Sequence, residues 1–310
     1  MSVFINLSFK KPKLSFPELR LTNRRLLDFD DFWRGFSAET NFYLWPQLIN
    51  KYCQKQNLRI LGPFWKRRDL PLLMEKLKNE GKWDLFITGE SRDNPTEFAK
   101  KCIGFRLPTG PNEVRFPYWQ WYLNWLNLKT NPQYLRFGEH YSIDQLMQPI
   151  NKQFDEISKK SFIARPPRAV LLTSHLKRHR LSLYRQCKFS IGCDIYGRKY
   201  RPTTRTKKDL LSDYKINLCP ENIAAQGYIT EKIPEAFLSG CIPITYCNPA
   251  DLALDFNPKA VINLFGLSRW NIRQKLKEVA SDYEVFSKLR SEPLLLDQPT
   301  IDPLIELLKR

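Results

Sequence analysis

The chain has 310 residues, with 50 Lys and Arg against 32 Asp and Glu, a formal charge of +18. Hydrophobic residues at 42% and aromatics at 13% exclude an intrinsically disordered chain, and the length admits two domains with a sizeable core. The surplus of positive charge calls for an anionic partner: a nucleotide, a membrane surface or a nucleic acid.

Residues 1–25 are basic and poorly periodic, with Lys10, Lys11, Lys13, Arg20, Arg24 and Arg25 against Glu18 alone. They form either a solvated leader or a contact with an anionic membrane surface. No apolar run of about 18 residues occurs, so no segment is expected to span a membrane. The seven cysteines are scattered, odd in number and without a CxxC pair, which fits free thiols in a reducing compartment. Cys219, Cys241 and Cys247 lack a recognisable zinc pattern, and no metal site is expected.

Leu26 to Trp33 alternates enough for a strand, and Glu39 to Gln54 places aromatic and aliphatic residues at helical spacing. A strand over Leu58–Leu61, a helix over Leu70–Asn79 and a strand over Asp84–Thr88 follow, the alternation of an open α/β sheet. The last strand runs into Gly89-Glu90-Ser91. A carboxylate at the end of a buried strand suits a general base, and equally a turn whose acid faces water; Asp93 is an alternative carboxylate. Residues 118–127, YWQWYLNWLN, suit either stacking on a sugar or packing between domains. A helix is expected from Ile143 to Lys159, across the connection between domains.

Ala169 to Thr173 is a buried strand, and Ser174 to Lys188 is basic and then helical. Lys177, Arg178 and Arg180 open that basic stretch, and a guanidinium there can hold a diphosphate in two-pronged fashion. Cys193 to Arg198 is a strand ending at Gly197, and a basic loop runs from Lys199 to Lys208. Tyr214 to Tyr246 then gives a strand (Ile216–Cys219), a polar turn, a helix (Thr230–Ser239) and a second strand (Ile242–Tyr246). Ile233, Phe237 and Cys241 share one apolar face, Pro234 must lie in a first turn, and Gly240 can cap the end. A unit of this size favours a parallel pair with a crossover, whose ligands sit at the carboxyl ends of the strands. Glu221, Asn222, Tyr228, Thr230, Glu231 and Lys232 occupy that location. The tail carries Ile301, Leu304, Ile305, Leu307 and Leu308 on a helix expected to pack against the protein.

The asparagine of Pro220-Glu221-Asn222, the YITEK run from Tyr228 to Lys232 and the SGCIPITY strand resemble the donor-binding motif of glycosyltransferase family 10, the α1,3/α1,4-fucosyltransferases of bacterial type. Thr88-Gly89-Glu90, Arg115-Phe116-Pro117-Tyr118-Trp119 and Asp194-Ile195-Tyr196-Gly197 resemble further elements of that family, over about Leu26 to Leu264. Pro220 departs from it, since family members usually carry an aromatic residue there. The resemblance implies an α/β, GT-B-like fold of two Rossmann-like domains facing across a cleft. An acceptor-side domain would span 1–160 and a nucleotide-sugar-binding domain with a terminal helix 161–310. It implies an inverting transferase that moves fucose from GDP-fucose to an acceptor glycan hydroxyl, in α1,3 or α1,4 linkage, without a metal or other cofactor.

By the same resemblance, Glu90 would take the acceptor proton, Arg180 and Lys232 would hold the pyrophosphate, and Glu231 the ribose hydroxyls. Asn222 and Tyr228 would shape the pocket, and Thr230 belongs to the same donor-binding run. The expected setting is a bacterial cytoplasmic enzyme, peripheral on the inner membrane, acting on lipopolysaccharide or another surface glycan, with no nucleic acid partner. Two alternatives stand beside this reading. A nucleic-acid-binding protein would use the charge and aromatic content, and an inactive nucleotide-sugar-binding relative would explain Pro220.

Overall fold

The computed structural model describes residues 51–53, 58–63, 65, 67–89, 91–125, 136–150, 155–176 and 178–310. The strand expected over Leu26–Trp33, most of the helix expected over Glu39–Gln54, Glu90 and Lys177 lie outside these residues. The chain builds two parallel sheets. In the first, β1 (Ile60–Leu61), β2 (Trp83–Ile87), β3 (Ala99–Gly104) and β4 (Glu113–Arg115) run in that order. All five residues of β2 are buried, which is why its sequence is an unbroken apolar run apart from Asp84. The helix Leu70–Glu80 covers one side, and Leu73 packs there with Trp83, Phe86, Phe98 and Cys102.

The second sheet has the order β6-β5-β7-β8-β9, from β5 (Ala169–Leu172), β6 (Cys193–Tyr196), β7 (Ile216–Leu218), β8 (Ile242–Thr245) and β9 (Ile262–Asn263). Every pairing is parallel. Alternate residues of β5 and β7 face two different cores. Ala169, Leu171, Ile216 and Leu218 pack with Leu183 and Cys187 of the helix Arg178–Ser190 and with Ile272 and Leu276 of the helix Arg269–Ser281. Val170 faces the other way, toward Leu210, Leu211, Ile233 and Phe237 of the helices Lys207–Leu211 and Lys232–Leu238. The architecture is α/β and of GT-B type.

Several expected boundaries shift for local reasons. The single helix expected over Ile143–Lys159 is two, Ile143–Leu146 and Asp155–Ala164; Met147 caps the first, and Pro149 follows it closely. The helix expected from Thr230 begins at Lys232, with Glu231 as its N-cap, and the Thr230 backbone N–H goes to Glu221. Gly240 takes φ 75° as the helix ends. The helices Lys207–Leu211, Arg269–Ser281 and Tyr283–Arg290 were not legible in advance. The terminal helix Asp302–Lys309 does pack, but against the first sheet: Leu304, Leu307 and Leu308 are buried with Leu58, Ile60 and Leu85. Residues 161–310 therefore contribute to both halves.

The halves are joined by a buried ion pair. Arg115, at the end of β4, donates from Nη1 to Asp255 Oδ1 at 2.7 Å and from Nη2 to Oδ2 at 2.6 Å, and Nη2 also reaches the Gly227 carbonyl. The Asp255 side chain is 2% exposed. Burial pushes its carboxyl up, and Arg115 draws it back. Rings flank the pair, Trp119 against Phe256 and Phe105 edge-on to Tyr228, both at centroid distances of 5.1 Å. Removing one partner of such a pair strands the other charge, at a cost of about 3–5 kcal/mol. Thermal unfolding of Arg115→Met should show that loss, and Arg115→Met with Asp255→Leu should recover most of it. Equal stabilities of the single and double variants would mean that the charges are not coupled.

Candidate functional site

The carboxyl ends of β5, β6 and β7 and the start of the helix Lys232–Leu238 enclose a cavity of about 510 Å³. Such an end of a parallel sheet is where ligands of this fold class bind. Gly197 follows β6 at φ 149°, and a Cβ there would stand 1.9 Å from the Thr173 carbonyl oxygen, so only glycine lets β5 and β6 close at this corner. Six cations line the cavity (Arg136, Arg180, Arg198, Arg205, Lys207 and Lys232) against two carboxylates, Glu231 and Glu235. The local surplus is four positive charges, and an anion is the chemistry it accommodates.

One buried carboxylate organises the wall. Glu221 accepts from the Thr230 backbone N–H at 2.8 Å, from the Thr230 hydroxyl at 2.9 Å and from Lys232 Nζ at 2.8 Å. Its own carbonyl oxygen accepts from Arg180 Nε at 3.1 Å and lies 2.6 Å from His179 Nε2. Burial lowers the proton affinity of Lys232, but Glu221 and Glu231 raise it further, so the ammonium stays charged. Arg180 is itself buried, and its Nη2 donates to the Pro220 carbonyl and its Nη1 to the Thr173 hydroxyl and the His175 carbonyl. A guanidinium has five N–H groups. Four of Arg180's are engaged by protein oxygens, so it cannot present a free two-pronged face to a phosphate without breaking its own loop.

A second carboxylate pair lies beside this wall. Lys207 Nζ sits 2.8 Å from each oxygen of Glu235 and 3.7 Å from Glu231. Tyr141 donates to Glu235 at 3.0 Å. Burial pushes Glu231 up, but Lys232 and Lys207 outweigh it and hold the carboxyl at about 2. Glu235 goes the other way: burial raises it more than Lys207 lowers it.

Of the residues expected at the site, Arg180, Asn222, Glu231 and Lys232 line the cavity. Thr230 lies behind the wall as a ligand of Glu221, and Tyr228 is buried against Phe105 of the first half. Arg178 begins its helix, and Lys177 and Glu90 are outside the described residues. Gly89 is described, and its close approach to Tyr118 (a Cβ would come within 2.1 Å of the ring) accounts for the glycine before Glu90. Lys207, Glu235, Tyr141 and Arg198 were missed. Arg198 is exposed on the cavity rim and makes no hydrogen bond or ion pair among the described residues. Among the described residues no group of His, Cys, Asp or Glu converges as metal ligands would.

The family model for "Glycosyltransferase family 10 (fucosyltransferase) C-term" matches residues 164–289, the segment that forms this cavity. An α-(1,3)-fucosyltransferase, FucT of Helicobacter pylori, is 30% identical over 202 residues, 58% of this chain and 40% of that relative. The chain is similar to glycosyltransferase family 10. It spans less than half the length of the curated relative it matches. Solved α1,3-fucosyltransferase structures share the fold. One aligns with a TM-score of 0.62 at 20% identity, covering 91% of this chain and 87% of its own. Another, solved with GDP-fucose, aligns at 0.57 and 21% identity, covering 85% and 96%.

The charges in this cavity predict a pH dependence of stability. Glu231 has an ordinary value near 4.5 and a folded value of about 2. Its contribution to stability is therefore complete above about pH 4.5 and is lost as pH falls toward 2. Glu235, held above its ordinary value, has the opposite sign and offsets part of this loss. Below pH 4.5 the melting temperature of Glu231→Gln should fall less steeply than that of the parent. Parallel acid limbs would show that Glu231 keeps an ordinary value.

Proposed function

We propose that this protein is an inverting fucosyltransferase that transfers fucose from GDP-fucose to a hydroxyl of an acceptor glycan, in α1,3 linkage. The observation that carries the reading is the Glu221–Lys232–Arg180 wall, set in a cavity with four surplus positive charges at the carboxyl end of a parallel sheet. A nucleoside diphosphate leaving group needs cations that are already in place when its charge develops. Lys232 retains one ammonium proton beyond those given to Glu221 and Thr230, and Arg198 has no partner among the described residues. These two would meet the diphosphate. Arg180 would contribute mainly through its field and through the loop it holds. Glu231, ionised at neutral pH, can accept only, which suits ribose hydroxyls. The name of the Helicobacter relative favours the α1,3 linkage.

Glu90 would remove the proton from the acceptor hydroxyl, whose oxygen attacks the anomeric carbon as the diphosphate departs on the opposite side. The acceptor would be a surface glycan, met at an anionic membrane face that the basic chain can approach. No helix among the described residues is long and apolar enough to cross a membrane.

Calorimetric titration with GDP, UDP and CMP, then with GDP-fucose, tests the donor assignment. GDP should bind selectively, and Lys232→Ala should weaken it at least about tenfold, as expected for a lost charge-assisted contact. Unchanged affinity would remove Lys232 from the site. Glu90→Gln should keep donor binding while turnover falls by about 10²–10⁴-fold. Retained turnover would transfer the role to another carboxylate, with Asp93 the first to examine.

A further inference from the structure

Strand β7 lies between β5 and β8, and helices cover both faces of the sheet, so its side chains face packed cores or the cavity and not the outer surface. Ile216 and Leu218 fill one core. Asn217 points to the opposite face, where its register partners are Val170 of β5 and Pro243 of β8. Neither partner has a side-chain group that can hydrogen-bond. Asn217 is 4% exposed, borders the cavity, and among the described residues its Oδ1 meets no donor. Folding gains nothing from this arrangement, because an apolar residue of the same size would avoid burying an unpaired amide oxygen.

The neighbouring polar groups are already engaged. Glu235 takes Lys207 and Tyr141, and the remaining reach of Lys207 is toward Glu231. Leu210 completes this part of the lining. Beside Asn217 the cavity therefore offers an unengaged buried acceptor with apolar neighbours, whereas the wall around Lys232 offers charge. A phosphate oxygen carries no proton at neutral pH and could take a hydrogen bond only from the Asn217 Nδ2 amide, leaving Oδ1 unpaired.

We infer that Asn217 is a recognition residue of the donor site, its Oδ1 accepting a hydrogen bond from an uncharged hydroxyl or N–H group of the nucleotide sugar. This rests on the reading of the cavity as a nucleotide-sugar site. Its role is selectivity: a donor lacking that proton would leave the amide unpaired, and specificity built on a buried hydrogen bond is steep for this reason.

The test compares the full chain with Asn217→Leu and Asn217→Ala by calorimetry against GDP and GDP-fucose, together with thermal unfolding in the absence of nucleotide. Asn217→Leu should melt no lower than the parent, since it removes an unpaired polar group. Both variants should nevertheless bind more weakly, by about 3- to 20-fold, as for a lost neutral hydrogen bond. Equal losses toward GDP and GDP-fucose would place the donating group on the nucleoside; a loss toward GDP-fucose alone would place it on the sugar. Parent-like affinity in both variants would overturn the inference, as would weak binding by Asn217→Leu with parent-like binding by Asn217→Ala, which would report only bulk in the cavity. If the parent chain binds neither nucleotide, the donor-site reading falls and takes this inference with it.

Discussion

Glu221 is the constraint on which the cavity wall depends. Its carboxylate gathers the Thr230 backbone, the Thr230 hydroxyl and Lys232, while its carbonyl gathers Arg180 and His179. A charge buried to this degree is tolerated only when it is paired and hydrogen-bonded, so the surroundings of Glu221 are determined together. The consequence is geometric. The loop from Pro220 to Thr230 leaves β7 and returns to the next helix, and its two ends are tied nine residues apart through one side chain. Lys232 is held at the helix start before any ligand arrives, which is the preorganisation that electrostatic stabilisation of a leaving group requires. Pro220, where the family usually has an aromatic residue, fits this scheme. It needs no backbone N–H here, and its carbonyl is the oxygen that Arg180 binds.

The same loop also answers to the other half of the molecule. Arg115 touches the Gly227 carbonyl while gripping Asp255, Arg106 reaches the Gln226 carbonyl, and Asp251 accepts from the Gly227 N–H. Tyr228 is buried against Phe105. On the opposite side, Tyr141 connects the segment after the aromatic run to Glu235, with Tyr122 stacked on it at 5.1 Å and 10°. The aromatic run Tyr118–Tyr122 thus serves packing between the halves, with Trp119 and Trp121 fully enclosed. Whatever shifts the halves relative to each other must strain Arg115 and Tyr141, and through them both ends of the cavity.

The legible parts of the sequence were those set by local rules. Buried parallel strands announce themselves as apolar runs, so DLFIT, AVLLT and IPIT were placed to within a residue. Pro234 and Gly240 bracketed the crossover helix because their backbone restrictions act wherever they stand. The parts that stayed hidden depend on partners far away in the chain. Nothing near Lys207 says that it will sit between Glu231 and Glu235, and it was read as one more cation in a basic loop. Tyr141 fell in a stretch without periodicity. Arg180 was singled out because its spacing to Tyr184 resembles that of family 10, but such a resemblance cannot show that neighbouring carbonyls would occupy its N–H groups.

Asn217 marks the boundary between the two cases. An asparagine inside Ile216-Asn217-Leu218-Cys219 was visible, and in a half-exposed antiparallel strand it would simply face water. In a central parallel strand no such face exists, so the residue is buried by the topology and requires a partner or a purpose. The sequence therefore contained the anomaly, and only the strand order β5-β7-β8 converted it into a question. The same logic separates the cations. Lys207 and Lys232 are fixed by carboxylates and belong to a prearranged wall, whereas Arg198 on the rim is exposed and has no partner among the described residues. On the proposed reading such a pocket would divide its work by burial: fixed charges for a departing diphosphate, an exposed rim cation to meet it, and a buried uncharged amide for selectivity.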